Sequence, residues 1–95
     1  MSKKDAYMKK LQAELDEWSA KIDQLKAKAD SAEADTQLAY YKEVEELRSM
    51  QQTASSKLSE LKEFGDDAWE GLKGGIDSAW NSLSNAVKSA ASRLS

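Results

Sequence analysis

Residues 8–25 of the 95-residue chain read MKKLQAELDEWSAKIDQL, and they carry the clearest structural pattern in the sequence. Its large apolar residues are separated alternately by three and four positions, which is the spacing of a left-handed helical seam. Charged residues flank the seam, as they do on the solvated faces of paired helices. We therefore predict an α-helix that pairs with another helix through an N-terminal stripe, which consists of Leu11, Leu15, Trp18, Ile22 and Leu25.

The composition of the whole chain agrees with helix pairing and argues against catalysis. Ala, Glu, Lys, Leu and Arg make up about half of the residues, a proportion typical of coiled coils when helical periodicity accompanies it. The chain contains no Cys, His or Pro, so disulfides, thiolate metal sites and the commonest general base are excluded. We expect a single all-α domain over residues 1–95 that is not an enzyme and needs no metal or cofactor.

A second seam of the same kind runs from Tyr40 to Leu61. Two consecutive spacings of four join the two seams, a stutter that a continuous helix absorbs by unwinding its supercoil locally. The junction at residues 29–36 is rich in Ala and contains no Gly or Pro. Helix propensity therefore favours one long helix over residues 3–63, a heptad coiled-coil segment.

The side chains of the junction leave a second arrangement open. Asp30, Ser31, Asp35 and Thr36 are all residue types that cap the start of a helix. A turn near 30–36 would divide the chain into three segments of similar length, which form an up-down-up three-helix bundle. We expect the long helix, because the junction lacks a helix breaker, and keep the three-helix bundle as the alternative. Both are antiparallel all-α architectures.

The segment 63–67, EFGDD, is the clear break in the helical pattern. Gly65 suits the left-handed position that follows many helix ends. Asp66 or Asp67 suits the next N-cap, and Asp67 begins the spacing of a capping box. We expect a second helix at about 67–93 that folds back on the first.

The last part of the chain, residues 66–95, forms an amphipathic helix with an eleven-residue repeat instead of heptads. Its large apolar residues lie opposite a face of Gly, Ser and Asn. Interior glycines each cost a helix about 1 kcal/mol relative to Ala, so this helix needs a surface to pack on. We expect a lipid- or partner-facing C-terminal stripe, which consists of Trp69, Leu72, Ile76, Trp80, Leu83 and Val87.

The repeat resembles the eleven-residue amphipathic repeats of apolipoproteins, synucleins and late-embryogenesis-abundant proteins, over residues 68–94. Its large apolar residues opposite a Ser/Gly face are similar to those of amphipathic lipid-packing sensors. These resemblances imply contact with a membrane surface or protection under stress. As a whole, the chain resembles small bacterial coiled-coil proteins that pair a heptad helix with an Asp-Asp-Ala-Trp-Glu-x-Leu-Lys segment, here 66–73. That resemblance implies no specific activity.

Function follows from what the long-helix arrangement leaves uncovered. Pairing the last helix with the second seam exposes the N-terminal stripe, and an exposed apolar stripe of this size must be buried. We expect a structural or interaction protein that acts by helix–helix pairing, as a homo-oligomer or with another helical protein. The alternative is an amphipathic protein of membrane surfaces or of stress protection that uses residues 68–94.

Charge and hydropathy narrow the partners and the compartment. The formal net charge is −3 with the two signs interleaved, which argues against nucleic acid. The sequence has no apolar run long enough to span a membrane and no secretory signal pattern. We expect a cytoplasmic protein, or one that binds a membrane peripherally.

Overall fold

The computed structural model of the chain describes residues 2–65 and 67–94. Over these residues the chain forms three α-helices and no β-strand: α1 (Lys3–Asp30), α2 (Ala34–Glu63) and α3 (Glu70–Leu94). Each helix packs against the other two. The helices are each about 40 Å long and the Cα atoms span 51 × 19 × 18 Å, so consecutive helices run antiparallel. The predicted all-α architecture is confirmed.

The structure corrects one expectation about this architecture. The chain does not form one helix over residues 3–63 and instead adopts the alternative, with its turn inside 30–36: α1 ends at Asp30 and α2 begins at Ala34. The turn lets α1 lie against α2 and α3 of its own chain. Helix propensity counts only local terms, and burial of a whole apolar stripe outweighs the few hydrogen bonds lost at a helix break.

The first turn, residues 31–33, departs only briefly from helical geometry. Ser31 keeps helical angles (φ −90°, ψ −6°), whereas Glu33 is extended (φ −65°, ψ 152°). The side-chain amide of Gln37 donates to the carbonyls of Ala29 at 3.3 Å and Asp30 at 3.2 Å. The amide thereby caps the end of α1, where the carbonyl of Ala29 also accepts from the N–H of Ala32 at 3.1 Å.

The second turn, residues 64–69, has a different construction. Phe64 is extended (φ −86°, ψ 142°) and its N–H still donates to the carbonyl of Leu61. The carbonyl of Gly65 then accepts from the N–H groups of Ala68 at 3.1 Å and Trp69 at 3.3 Å. The chain thus re-enters helical hydrogen bonding within four residues of leaving it.

Two expectations about the second turn need correction. Gly65 is not left-handed, because no residue in the described part of the chain has a positive φ. The α3 helix begins at Glu70, and residues 67–69 form a turn before it, so the predicted start at about 67 is three residues early. The predicted cap at Asp66 lies outside the described residues.

The core is one cluster along the common axis of the three helices. Its members come from all three helices at seam positions, and within residues 2–65 and 67–94 no polar or charged residue is buried. Both predicted stripes therefore contribute to one core. Its buried residues are Leu11, Leu15, Ile22, Leu25, Val44, Leu47, Ala54, Leu58, Leu61, Trp69, Ile76, Trp80, Leu83, Val87, Ala90 and Leu94.

Candidate interaction surfaces

The N-terminal stripe lies inside the bundle. Leu11, Leu15, Ile22 and Leu25 are each at most 4% exposed. Trp18 is half-buried and lines an open groove between α1 and α3 together with Ser84. The long-helix arrangement implies an uncovered stripe, which is absent from the three-helix bundle because α2 and α3 of the same chain cover it.

The C-terminal stripe packs into the same core from α3. Trp69, Ile76, Trp80, Leu83 and Val87 are buried, and Leu72 is half-buried. The indole N–H of Trp80 donates to the carbonyl of Leu11 at 3.3 Å, which ties α3 to the backbone of α1. In the three-helix bundle, which we call the closed bundle, this stripe faces α1 and α2 and not the solvent.

An aromatic and charged group joins the start of α1 to the start of α3. We call it the Tyr7 cluster, and it contains Tyr7, Trp69, Lys73 and Asp77. The rings of Tyr7 and Trp69 lie 5.4 Å apart between centroids, tilted by 37°. The ammonium group of Lys73 lies 5.4 Å from the centroid of the Tyr7 ring, within the range of a cation–π interaction. The phenol of Tyr7 donates a hydrogen bond to Asp77.

The Tyr7 hydroxyl is held in its protonated form. Partial burial raises its pKa above the ordinary value of 10.0, and the hydrogen bond and negative charge of Asp77 raise it further, with a smaller contribution from Glu14. A phenol with a raised pKa is a hydrogen-bond donor at neutral pH and a poor base or nucleophile. The cluster therefore has a structural role, because its contacts hold α1 against the start of α3.

The sequence pattern did not single out the Tyr7 cluster. Tyr7 lies one position before the apolar seam, and its partner Asp77 is seventy residues away. The one available signal was the position of Tyr7 next to the seam residue Met8. This position places the Tyr7 ring at the edge of the helix contact.

The outer face of α3 carries glycines that the packing does not require. Gly71, Gly74 and Gly75 are exposed, and a Cβ atom built on each would meet nothing within 4 Å. None of them has a positive φ. Each therefore lowers the intrinsic stability of α3 without allowing a closer helix contact or a special backbone conformation.

Within residues 2–65 and 67–94, two large apolar side chains are exposed. Leu38 is 78% exposed near the start of α2, and Phe64 is 40% exposed beyond its end. About 40 Å of helix separates them, so they do not form one patch.

Ion pairs connect the helices at the surface of the bundle. Arg48 pairs with Asp23 across α1 and α2, and the Nε atom of Arg93 lies 2.7 Å from a carboxylate oxygen of Glu43 across α2 and α3. Glu43 thus joins α2 to α3 at the surface. No group of acidic residues in the described ranges has the arrangement of a metal site.

Comparison with known proteins identifies no relative of the chain. The chain matches no protein family, no curated protein sequence and no solved structure. Within the described residues, no helix combines the length and the apolar character that crossing a membrane requires.

Proposed function

We propose that this protein is a non-catalytic structural or interaction protein that acts through helix–helix pairing and self-associates. One observation carries the proposal: the apolar side chains of the described residues are concentrated on seams between helices. Such a seam is complementary to any helix of the same pattern, whether that helix belongs to the same chain, to a second copy or to another helical protein.

The charges around the seam favour pairing with a specific helix over indiscriminate adhesion. Asp23 and Arg48 flank the contact of α1 with α2, and Glu43 and Arg93 flank that of α2 with α3. Opposite charges at the edges of a helix pair set partner choice and orientation more than they add affinity.

Light scattering on a size-exclusion column tests self-association over a wide range of protein concentrations. We expect the mass to rise from that of one chain, 10.5 kDa, towards that of two. A single-chain mass at every concentration contradicts self-association. Leu38→Ser is the matched control, because it removes a large apolar side chain that is 78% exposed without touching a seam and should leave the mass profile unchanged.

A second candidate function is binding to a membrane surface through α3. The observation that favours it is the design of this helix: a stripe that contains Trp69 and Trp80 lies opposite a face with exposed Gly71, Gly74 and Gly75. A helix of this kind exchanges its protein contacts for lipid when its apolar face is released. Release costs the burial of the C-terminal stripe, at about 1.5–3 kcal/mol for each large side chain.

Flotation with small, highly curved vesicles tests lipid binding. We expect the wild type to float with the vesicles and the double variant Trp69→Ser/Trp80→Ser to stay in solution. Because both tryptophans also belong to the core, Leu58→Ala provides the matched control: it weakens the bundle from α2 and leaves the C-terminal stripe intact. It should float at least as well as the wild type. A wild type that does not float rules out this function.

A further inference from the structure

The first turn is close to being a helix. The N–H of Ser31 donates to the carbonyl of Ala27 as in an α-helix, and the N–H of Ala32 donates to Ala29 at 3.1 Å. Glu33 is extended, and α2 begins at the next residue. Helical angles at the end of this turn would join α1 and α2 into one helix.

Nothing in the residue types of the turn demands the bend. Residues 31–33 contain no Gly or Pro, and none of them has a positive φ. Their sequence, Ser-Ala-Glu, lies between two long helices and is compatible with helix throughout. The bend is held by packing of the N-terminal stripe and by the side chain of Gln37, which caps the end of α1.

Straightening the turn separates α1 from the surface that it covers. The N-terminal stripe on α1 and the groove between α2 and α3 would both become exposed. The helix over residues 3–63 would be about 90 Å long, so α1 could not reach that groove in its own chain. The stripe on α1 then needs a partner that resembles the groove between α2 and α3, and this groove needs a partner that resembles α1 in shape and charge.

We propose that a second copy of this chain supplies that partner, in a dimer in which the two chains exchange α1. The proposal rests on the self-association proposed above and specifies its interface. The α1 helix of one copy fills the groove between α2 and α3 of the other, and the second α1 does the same in return. Exchange of an identical element is a common route to a symmetric dimer.

The exchange reuses the contacts that α1 makes in the closed bundle. The ion pair of Asp23 with Arg48, the indole bond of Trp80 and the phenol bond of Tyr7 all connect α1 to α2 or α3. Each would form between chains with the same geometry. The two forms therefore differ chiefly at the first turn, where the dimer gains backbone hydrogen bonds of a continuous helix and loses the Gln37 cap.

Ala34→Pro distinguishes the two forms at this turn. Ala34 is the first residue of α2, where proline is favoured, and the preceding Glu33 is extended, as a residue before proline should be. In a continuous helix the same proline lies in the interior and costs about a hundredfold in stability per helix. The dimer contains two such helices, so its association constant should fall about ten-thousandfold while the monomer keeps its fold.

Gln37→Ala is the opposing variant. It removes the side chain that caps α1 in the closed bundle, whereas in a continuous helix the backbone N–H groups satisfy the same carbonyls. We expect the association constant to rise about tenfold, because each closed chain loses hydrogen bonds that the dimer does not use. This variant keeps the proposal testable if the proline variant fails to fold.

Light scattering combined with small-angle X-ray scattering of the wild type and the two variants tests the proposal. The expected result is a wild-type dimer much longer than the 51 Å monomer, with a monomeric Ala34→Pro protein and an enriched dimer for Gln37→Ala. A dimer that persists unchanged in Ala34→Pro, or that is no longer than the monomer, overturns the exchange and leaves self-association standing. A wild type that stays monomeric at all concentrations overturns both.

Discussion

The two turns of this molecule reverse the chain by different means. The second turn contains a glycine, leaves helical geometry at Phe64, and is bonded to α1 through the side chain of Lys4, which donates to the carbonyls of Lys62 and Phe64. The first turn has no glycine and keeps helical angles at Ser31. Local residue types specify the second turn, whereas packing of the helices specifies the first.

This difference assigns the determinants of the fold to separate parts of the chain. A locally specified turn persists when the core is weakened, because it contains Gly65 and Asp67, which are poor helix formers in any context. A turn specified by packing lasts only as long as α1 remains in the core. Substitutions in the core, in the helices and in the turns therefore test the two kinds of turn separately.

The largest effect is expected from the core around α1. Ile22 is fully buried, so Ile22→Ala removes its contacts and leaves a cavity, and the free energy of unfolding should fall by about 2–5 kcal/mol. Urea denaturation monitored by circular dichroism measures the change. The exposed neighbour Lys21→Ala should stay within about 0.5 kcal/mol of the wild type. A loss of less than about 1 kcal/mol for Ile22→Ala would contradict the docking of α1.

A smaller effect of opposite sign is expected on the outer face of α3. Gly74→Ala and Gly75→Ala place a methyl group in open space within a helix, so each should raise the free energy of unfolding by about 0.5–1 kcal/mol. Thermal unfolding monitored by circular dichroism measures the gain. An unchanged midpoint for the double variant would mean that this part of α3 is not helical in solution. The gain would also show that glycine limits the stability of α3.

The sequence allowed the core positions to be predicted well and the path of the chain less well. The spacing of Leu11, Leu15, Ile22 and Leu25 placed all four on a seam, and all four are buried. Periodicity reports which face of a helix is apolar, and that property does not depend on which helix covers it. The first turn could not be predicted from propensity, because its stability comes from contacts between residues far apart in the sequence.

The candidate interaction surfaces could likewise be predicted only in part. The C-terminal stripe was visible as a repeat, and five of its six residues are buried in the core. Whether such a stripe faces lipid, a second chain or its own core depends on the rest of the fold, which a periodicity does not contain. The Tyr7 cluster was missed because hydrogen bonds between α1 and α3 leave no pattern in the order of residues along the chain.

The Tyr7 cluster predicts a loss of stability in alkaline solution. The folded state raises the pKa of Tyr7 above its ordinary 10.0, so folding favours the protonated phenol. Its contribution is complete below pH 10 and is lost as the pH rises towards the folded-state value. Tyr7→Phe should cost about 1 kcal/mol at neutral pH and make the free energy of unfolding less dependent on pH above 10.

Urea denaturation of both proteins at neutral and alkaline pH measures this difference. Tyr41→Phe is the matched control, because the pKa of Tyr41 is also raised, mainly by its hydrogen bond to Asp30, but this phenol lies on the surface at the first turn. That variant should retain the alkaline loss due to Tyr7. Equal pH profiles for the wild type and Tyr7→Phe would contradict the role of the Tyr7–Asp77 bond.

The smallest effect is expected at the second turn itself. Gly65 has neither a positive φ nor a neighbour within 4 Å of a Cβ atom, so Gly65→Ala should change the free energy of unfolding by less than about 0.5 kcal/mol. A loss of about 1–2 kcal/mol in urea denaturation would mean that the residue is left-handed in solution. With the expected result, the glycine acts only as a weak helix former. The second turn is then specified by the whole run after Glu63, since no single residue in it is indispensable.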